Sequence, residues 1–247
     1  MESKYQENLK KRILITIGLI IVYLFGTYVV IPGVEPKYLT GLAQQTNGGL
    51  MALLDMFSGG AFSNASIFAL GIIPYIYASI IMLLIVTFIP YFRKMRNEGE
   101  SGRKKINNMT SYLTVAILVV LGFAYLTNLK IQMAQIGASL PSGMWFMISS
   151  ISIMTAGSMF VLWIGERITY KGIGNGILLI FMIGIISRLP RLIAEEFASR
   201  INELGGLVMF LLEILFLLLT IAGAILLVQV IEYFKRKGIS WWGTYIT

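Results

Sequence analysis

The stretch Leu54–Ile89, LDMFSGGAFSNASIFALGIIPYIYASIIMLLIVTFI, decides how the chain is read. It opens at the end of a short apolar segment, Leu50–Phe57, far too short to span a bilayer. A small, polar bend follows, Ser58-Gly59-Gly60-Ala61-Phe62-Ser63-Asn64. From Ser66 to Ile89 the next 24 residues carry no charge, enough to cross hydrocarbon with some tilt. This pattern predicts a half-inserted helix hinged by a glycine pair to a full span. Irregular backbone is not tolerated against lipid, so such a bend must be buried in protein or line a water-filled cavity. The plainer alternative is an external loop with an incidental apolar patch.

The rest of the chain supports a membrane setting. Its 247 residues are 57% hydrophobic and 13% charged, with mean hydropathy +0.79, against roughly a quarter charged in soluble domains. The absence of cysteine excludes disulfides and thiolate sites. The absence of histidine removes the usual metal ligand and general base. These features predict an all-α, polytopic protein with six spans at about 13–31, 66–89, 110–129, 144–164, 173–187 and 207–231. A half-inserted segment falls at about 50–61. Residues 1–12 are expected to form a basic cytoplasmic segment, and 232–247 a cytoplasmic tail.

Six spans place both termini on one side. With the termini inside, fifteen of the twenty Lys and Arg lie inside. Lys37, Lys130, Arg188, Arg191 and Arg200 lie outside, and none falls in a span. The bias predicts cytoplasmic termini, with a balance of +9 on the inner side facing an anionic leaflet, a neutral outer face, and Glu213 within a span bringing the total to +8. No aromatic platform is interleaved with the basic residues, so nucleic-acid binding is not expected.

Several motifs bear on function. Pro74 in Gly71-Ile72-Ile73-Pro74-Tyr75-Ile76 lacks an N–H and predicts a kink in the second span. Ile72 and Ile76 lie at i and i+4 on one face. They are either ordinary packing residues or a hydrophobic constriction that blocks ions by dewetting. The island Glu98–Lys105, with Arg103, Lys104 and Lys105, reads as a short flexible loop that is simply solvated or docks a cytosolic partner. Gly172-Ile173-Gly174-Asn175-Gly176 lacks the Gly-Lys-Ser/Thr ending of a phosphate loop and reads as a tight turn between two spans. Glu213, the ionisable residue expected within a span, is either a proton or ion site or a structural carboxylate that, near the outer end, snorkels or pairs with Arg191 or Arg200. The absence of further titratable groups for a relay favours the second. No catalytic arrangement, metal-ligand cluster or cofactor motif is visible, so no enzymatic activity is expected.

Taken together, Ile31-Pro32-Gly33-Val34, Phe57-Ser58-Gly59-Gly60-Ala61, SIFALGIIPYIYASI at 66–80, EGESGRKKI at 98–106 and WIGERITYKGIGNG at 163–176 resemble the SecY family. That family comprises the channel subunits of the protein translocase. The resemblance runs along about residues 10–230. It implies that Leu50–Ala61 is the plug, with Leu50, Leu53, Leu54, Met56, Phe57, Gly59 and Gly60 among its residues. It implies that Ile72, Ile76 and Phe181 belong to the pore ring, where the family usually has an aliphatic residue at the last position. Spans two and three would form one edge of the lateral gate. Implied partners are SecE-like and SecG-like subunits, SecA or the ribosome, signal sequences and nascent polypeptides. The implied setting is the bacterial plasma membrane.

The resemblance also has a limit. Family members have ten spans in two inverted five-span halves, and six are read here. EYFKRKGISWWGTYIT, the final stretch, does not match the family's Arg-x-Ile-Pro-Val-Gln-Tyr segment. A truncated or incomplete copy is therefore expected, with a separately supplied second half or a divergent paralogue as alternatives. Two other functional classes stay open at this point: half of a small-solute or ion transporter, and a non-transporting membrane scaffold.

Overall fold

A computed structural model describes residues 2–35, 37, 49–135, 137, 140, 141, 143–200 and 206–236. Among them are eight α-helices and no strand: α1 (Glu2–Gly26), α2 (Gly49–Phe57), α3 (Ile73–Phe88), α4 (Pro90–Asn97), α5 (Glu100–Gln135), α6 (Met144–Lys171), α7 (Gly176–Arg200) and α8 (Gly206–Arg236). The protein is an all-α, polytopic membrane protein. Helices α5, α6 and α7, and α8 over Gly206–Ile231, are each long and apolar enough to cross a bilayer. Helices α3 and α4 make a fifth candidate if counted as one span, though they meet at 100°.

Six spans were expected, and the difference lies at the amino-terminal end. The apolar part of α1 runs only from Ile13 to Gly26. Beyond it the chain turns at Thr27 and Tyr28 and runs on to an isolated antiparallel bridge, Val30 with Ser66. The second expected span also begins late. Residues 66–72 are not helical, and α3 starts at Ile73 with Pro74 in its first turn. The expected kink at Pro74 therefore does not form. In the first turn the missing N–H has no partner to lose, so proline starts the helix rather than bending it.

The helix start explains how the chain meets the membrane constraint. Residues 58–72 are irregular yet largely buried, and their backbone groups are paired locally. Ser58 N–H donates to the Leu54 carbonyl (3.0 Å), Gly60 N–H to Asp55 (2.9 Å) and Gly71 N–H to Phe68 (2.8 Å). Two longer links, Ile31 N–H to Ala65 O and Ile67 N–H to Val29 O, both 2.9 Å, tie this segment to the chain leaving α1. Polar backbone is thus satisfied without help from lipid.

Two apolar clusters flank that segment. On one side Phe62, Ala65, Ala69 and Leu70 pack with Leu118, Tyr125, Leu126, Leu129 and Met133 of α5 and Met154 of α6. On the other, Ala61, Phe68 and Ile72 pack with Tyr23 of α1, Val161, Ile164 and Ile168 of α6, and Ile180 of α7. Phe68 stacks on Tyr23, with ring centroids 6.3 Å apart and planes at 7°. A Cβ at Gly157 of α6 would strike the Ile67 carbonyl, which is why α6 can lie against this backbone.

Three further expectations concern the ends of helices. The 172–176 segment is a turn between α6 and α7. Gly174 takes φ +69°, and Asn175 Oδ1 accepts from Ile177 and Leu178 N–H (3.1 and 3.4 Å), capping α7. The fifth span was expected to end near Ser187, before Pro190, but α7 runs through Pro190 to Arg200. The island at 98–105 is not a flexible loop. Glu98 and Gly99 turn, and Arg103, Lys104 and Lys105 lie exposed on the first turns of α5. Lys104 pairs with Glu100 one turn earlier, at 3.1 Å.

The chain divides into two compact units, Met1–Arg188 and Leu189–Thr247. In the second, Phe197 and Phe210 meet edge to face at 5.4 Å. Arg200 bonds Glu196 (2.8 Å) and Glu213 (3.0 Å), so one of the two partners expected for Glu213 is found. The tail beyond Arg236, and the loop residues 38–48 and 201–205, lie outside the described residues.

Candidate functional site: a half-helix seated on an apolar collar

Helix α2 is only nine residues long. Its apolar residues fall on more than one side: Leu53 is exposed, Met51 and Leu54 face a groove, and Met56 and Phe57 are partly buried. The Leu50 side chain lies outside the described residues. Beyond Phe57 the chain reverses through Gly59 (φ +67°) and Gly60 (φ +90°), left-handed conformations that glycine adopts without steric cost.

The structure brings the three expected ring residues into one cluster. Ile72 is buried at 4% exposure, immediately before α3. Ile76 sits one turn further on, its N–H donating to the Ile72 carbonyl at 3.2 Å. Both pack in the cluster to which Phe181 of α7 also belongs. The end of α2 rests on this group: Phe57 stacks on Phe181 with centroids 4.8 Å apart and planes at 28°. A cluster that has no charged side chain and is capped by an aromatic ring is a poor place for water.

The bend after α2 is held from several directions. From α1, Tyr23 Oη donates to the Ser58 carbonyl at 3.3 Å. From α5, Tyr125 Oη donates to the Phe62 carbonyl at 2.8 Å, and the two rings meet edge to face at 4.9 Å. Within the bend, Phe62 N–H donates to Ser58 Oγ at 3.0 Å. Removing the Tyr125 hydroxyl leaves the buried Phe62 carbonyl without that donor, at a cost of about 1–2 kcal/mol. Tyr125→Phe is therefore expected to lower hydrogen-exchange protection of the Phe62–Ser66 amides by about tenfold. Unchanged protection would mean that water replaces the hydroxyl.

One group of residues was not foreseen. Arg188, expected among the outer charges, lies within α7 and turns inward to Asp55 of α2. Nη2 stands 2.5 Å from Oδ2, with the side chains only 16% and 12% exposed. Arg188 Nη2 also donates to Ser63 Oγ (2.7 Å), and Ser63 N–H donates to Asp55 Oδ1 (2.8 Å). A signal was available: Asp55 is a lone carboxylate in an apolar half-helix, which requires a partner if the segment is buried.

A groove of about 390 Å³ opens beside α2, between the bend, α3 and α5. Met51, Leu54, Phe62, Leu70, Tyr77 and Tyr125 are among the residues that line it.

These features define a polytopic helical membrane protein in which a nine-residue helix packs against an apolar cluster of α1, α3, α6 and α7. The chain belongs to the SecY family, whose profile matches residues 66–237. It is similar to the protein translocase subunit SecY of Escherichia coli K12, 40% identical over 209 residues, which are 84% of this chain and 47% of that protein. The Pseudomonas aeruginosa subunit is 42% identical over 180 residues, 73% of this chain and 40% of the relative. The subunit of Buchnera aphidicola subsp. Schizaphis graminum is 37% identical over 235 residues, 95% of this chain and 53% of the relative. The chain thus spans about half the length of the curated relatives it matches.

Proposed function

We propose that this chain supplies the amino-terminal part of a protein-conducting channel that moves unfolded polypeptide across or into the bacterial inner membrane. Helix α2 and the bend to Gly60 serve as the plug. Ile72, Ile76 and Phe181 serve as part of the pore ring, and α3 with α5 as one edge of a lateral gate. The observation that carries this reading is the contact between stopper and collar, Phe57 stacked on Phe181 in the cluster of Ile72 and Ile76. An apolar waist resists ions yet yields to a passing chain, because dispersion contacts have no fixed direction.

On this reading the chain works with membrane subunits of the SecE and SecG kind, and with a motor such as SecA or the ribosome as the source of energy. On the same reading both termini face the cytoplasm, and so do Arg103, Lys104 and Lys105, whose exposure suits a docking surface. The half-exposed Glu213–Arg200 pair supports a structural role for that carboxylate rather than an ion site.

Photo-crosslinking from position 76 in membranes carrying a stalled secretory chain tests the proposal. A crosslink from Ile76, absent from the exposed Phe216 of α8, is the expected result. Equal yields from both positions would overturn the pore assignment.

A further inference from the structure

The collar and stopper are apolar, yet the stopper is also fastened by a charge pair that nothing in an apolar seal requires. We infer that Asp55 and Arg188 form a latch whose strength depends on the pore being dry, and that wetting releases it. The inference rests on the plug reading of α2 and adds to it how the closed state is held.

Three observations carry it. First, the pair joins the half-helix to α7 and both side chains are largely withdrawn from water. Secondly, the two charges are bridged as well as paired, because Ser63 accepts from Arg188 and donates to Asp55. That closes a ring through the bend itself. Thirdly, the backbone leaves space for the guanidinium: a Cβ at Gly60 would overlap the Arg188 head. Gly60 thus serves twice: it takes a positive φ, and its lack of a side chain leaves room for the guanidinium where it meets Asp55.

The release follows from electrostatics. A buried pair interacts several-fold more strongly than the same pair in water, because the effective dielectric rises from roughly 20 or below to about 80 on hydration. While the collar excludes water, pulling α2 away exposes each charge to an apolar surrounding. Once a chain enters and brings water, the same separation becomes nearly free. Purely apolar seating has no such switch, since the pressure to exclude water persists as the pore hydrates.

The chain has no cysteine, so a single introduced thiol reports on the seat. Ala61→Cys places it in the bend at a fully buried position, and Leu118→Cys at an equally buried position on α5 serves as control. The full chain is labelled with a water-soluble maleimide in mild detergent. Asp55→Asn or Arg188→Gln alone strands one buried charge and is expected to speed labelling at position 61 by roughly a hundredfold. The double variant Asp55→Asn/Arg188→Gln removes both charges together, so that neither is stranded, and should return the rate to within about tenfold of the parent. Position 118 should change by less than about twofold.

Single variants that label no faster than the parent overturn the latch. So do equal accelerations at positions 61 and 118, which mean general loosening, and a double variant as fast as the singles, which means no coupling. The plug reading is tested separately by ion leak on polar substitution of Ile72. A flat labelling result beside an intact leak response removes the latch alone, whereas loss of the leak response removes the reading beneath it.

Discussion

Gly184→Ala is expected to loosen the seat of α2 while strengthening the helix that carries the change. A Cβ at position 184 of α7 would lie 2.8 Å from the Phe57 carbonyl oxygen and 3.3 Å from the Gly59 nitrogen. Both contacts are backbone, so no rotamer change relieves them. Helix α7 cannot withdraw without breaking the Phe57–Phe181 stack and the Arg188–Asp55 pair. Overpacking of this kind costs about 1–3 kcal/mol, here toward the upper end because main chain is struck. The expected readout is a loss of roughly tenfold to a hundredfold in exchange protection at Gly60, whose N–H donates to Asp55 at 2.9 Å. The sign is informative. Alanine favours a helix over glycine by about 1 kcal/mol, so protection within α7 should hold or rise while protection in the bend falls. A uniform gain would show that the two backbones are not in contact.

Legible from residue patterns alone are the membrane class, a short apolar segment at 50–57, the bend at Gly59 and Gly60 and the turn at 172–176. Each rests on a local rule: the length of an uncharged run, or a glycine that permits positive φ. Helix limits depart from the expected spans where tertiary pairing overrides such rules. Residues 66–72 are as apolar as any span, but their N–H and carbonyl groups are used by Val29 and by the bend, so the helix waits until Ile73. Pro190 follows the expected end of the fifth span near Ser187, yet α7 continues past it, as helices do when the lost hydrogen bond is made good elsewhere. Arg188 was counted with the outer charges because the positive-inside rule sums residues and does not ask where each side chain points. Its partner, Asp55, is 133 positions away, a separation that no window of local sequence covers.

Ile72→Asn, in a channel that carries this segment, should raise ion leak through the closed state by about tenfold or more. Ile72 is 4% exposed and surrounded by Tyr23, Phe68, Val161, Ile164 and Ile180, a setting with few groups to satisfy a carboxamide. An unpartnered amide there costs about 1–3 kcal/mol, and the cheapest remedy is to admit water. Each 1.4 kcal/mol that favours the wet state multiplies its population by about ten, and conduction follows wetting in an apolar constriction. Ile76→Asn should leak less, because that side chain is already partly exposed and its replacement can find solvent without opening the collar. Ile72→Val, which removes one methylene and adds no polarity, should change leak by less than about twofold. Conductance measured in planar bilayers checks that ranking, with Ile72→Asn leakiest, Ile76→Asn next and Ile72→Val close to the parent. If valine and asparagine at position 72 leak alike, lost volume rather than wetting governs the seal, and the collar is ordinary packing.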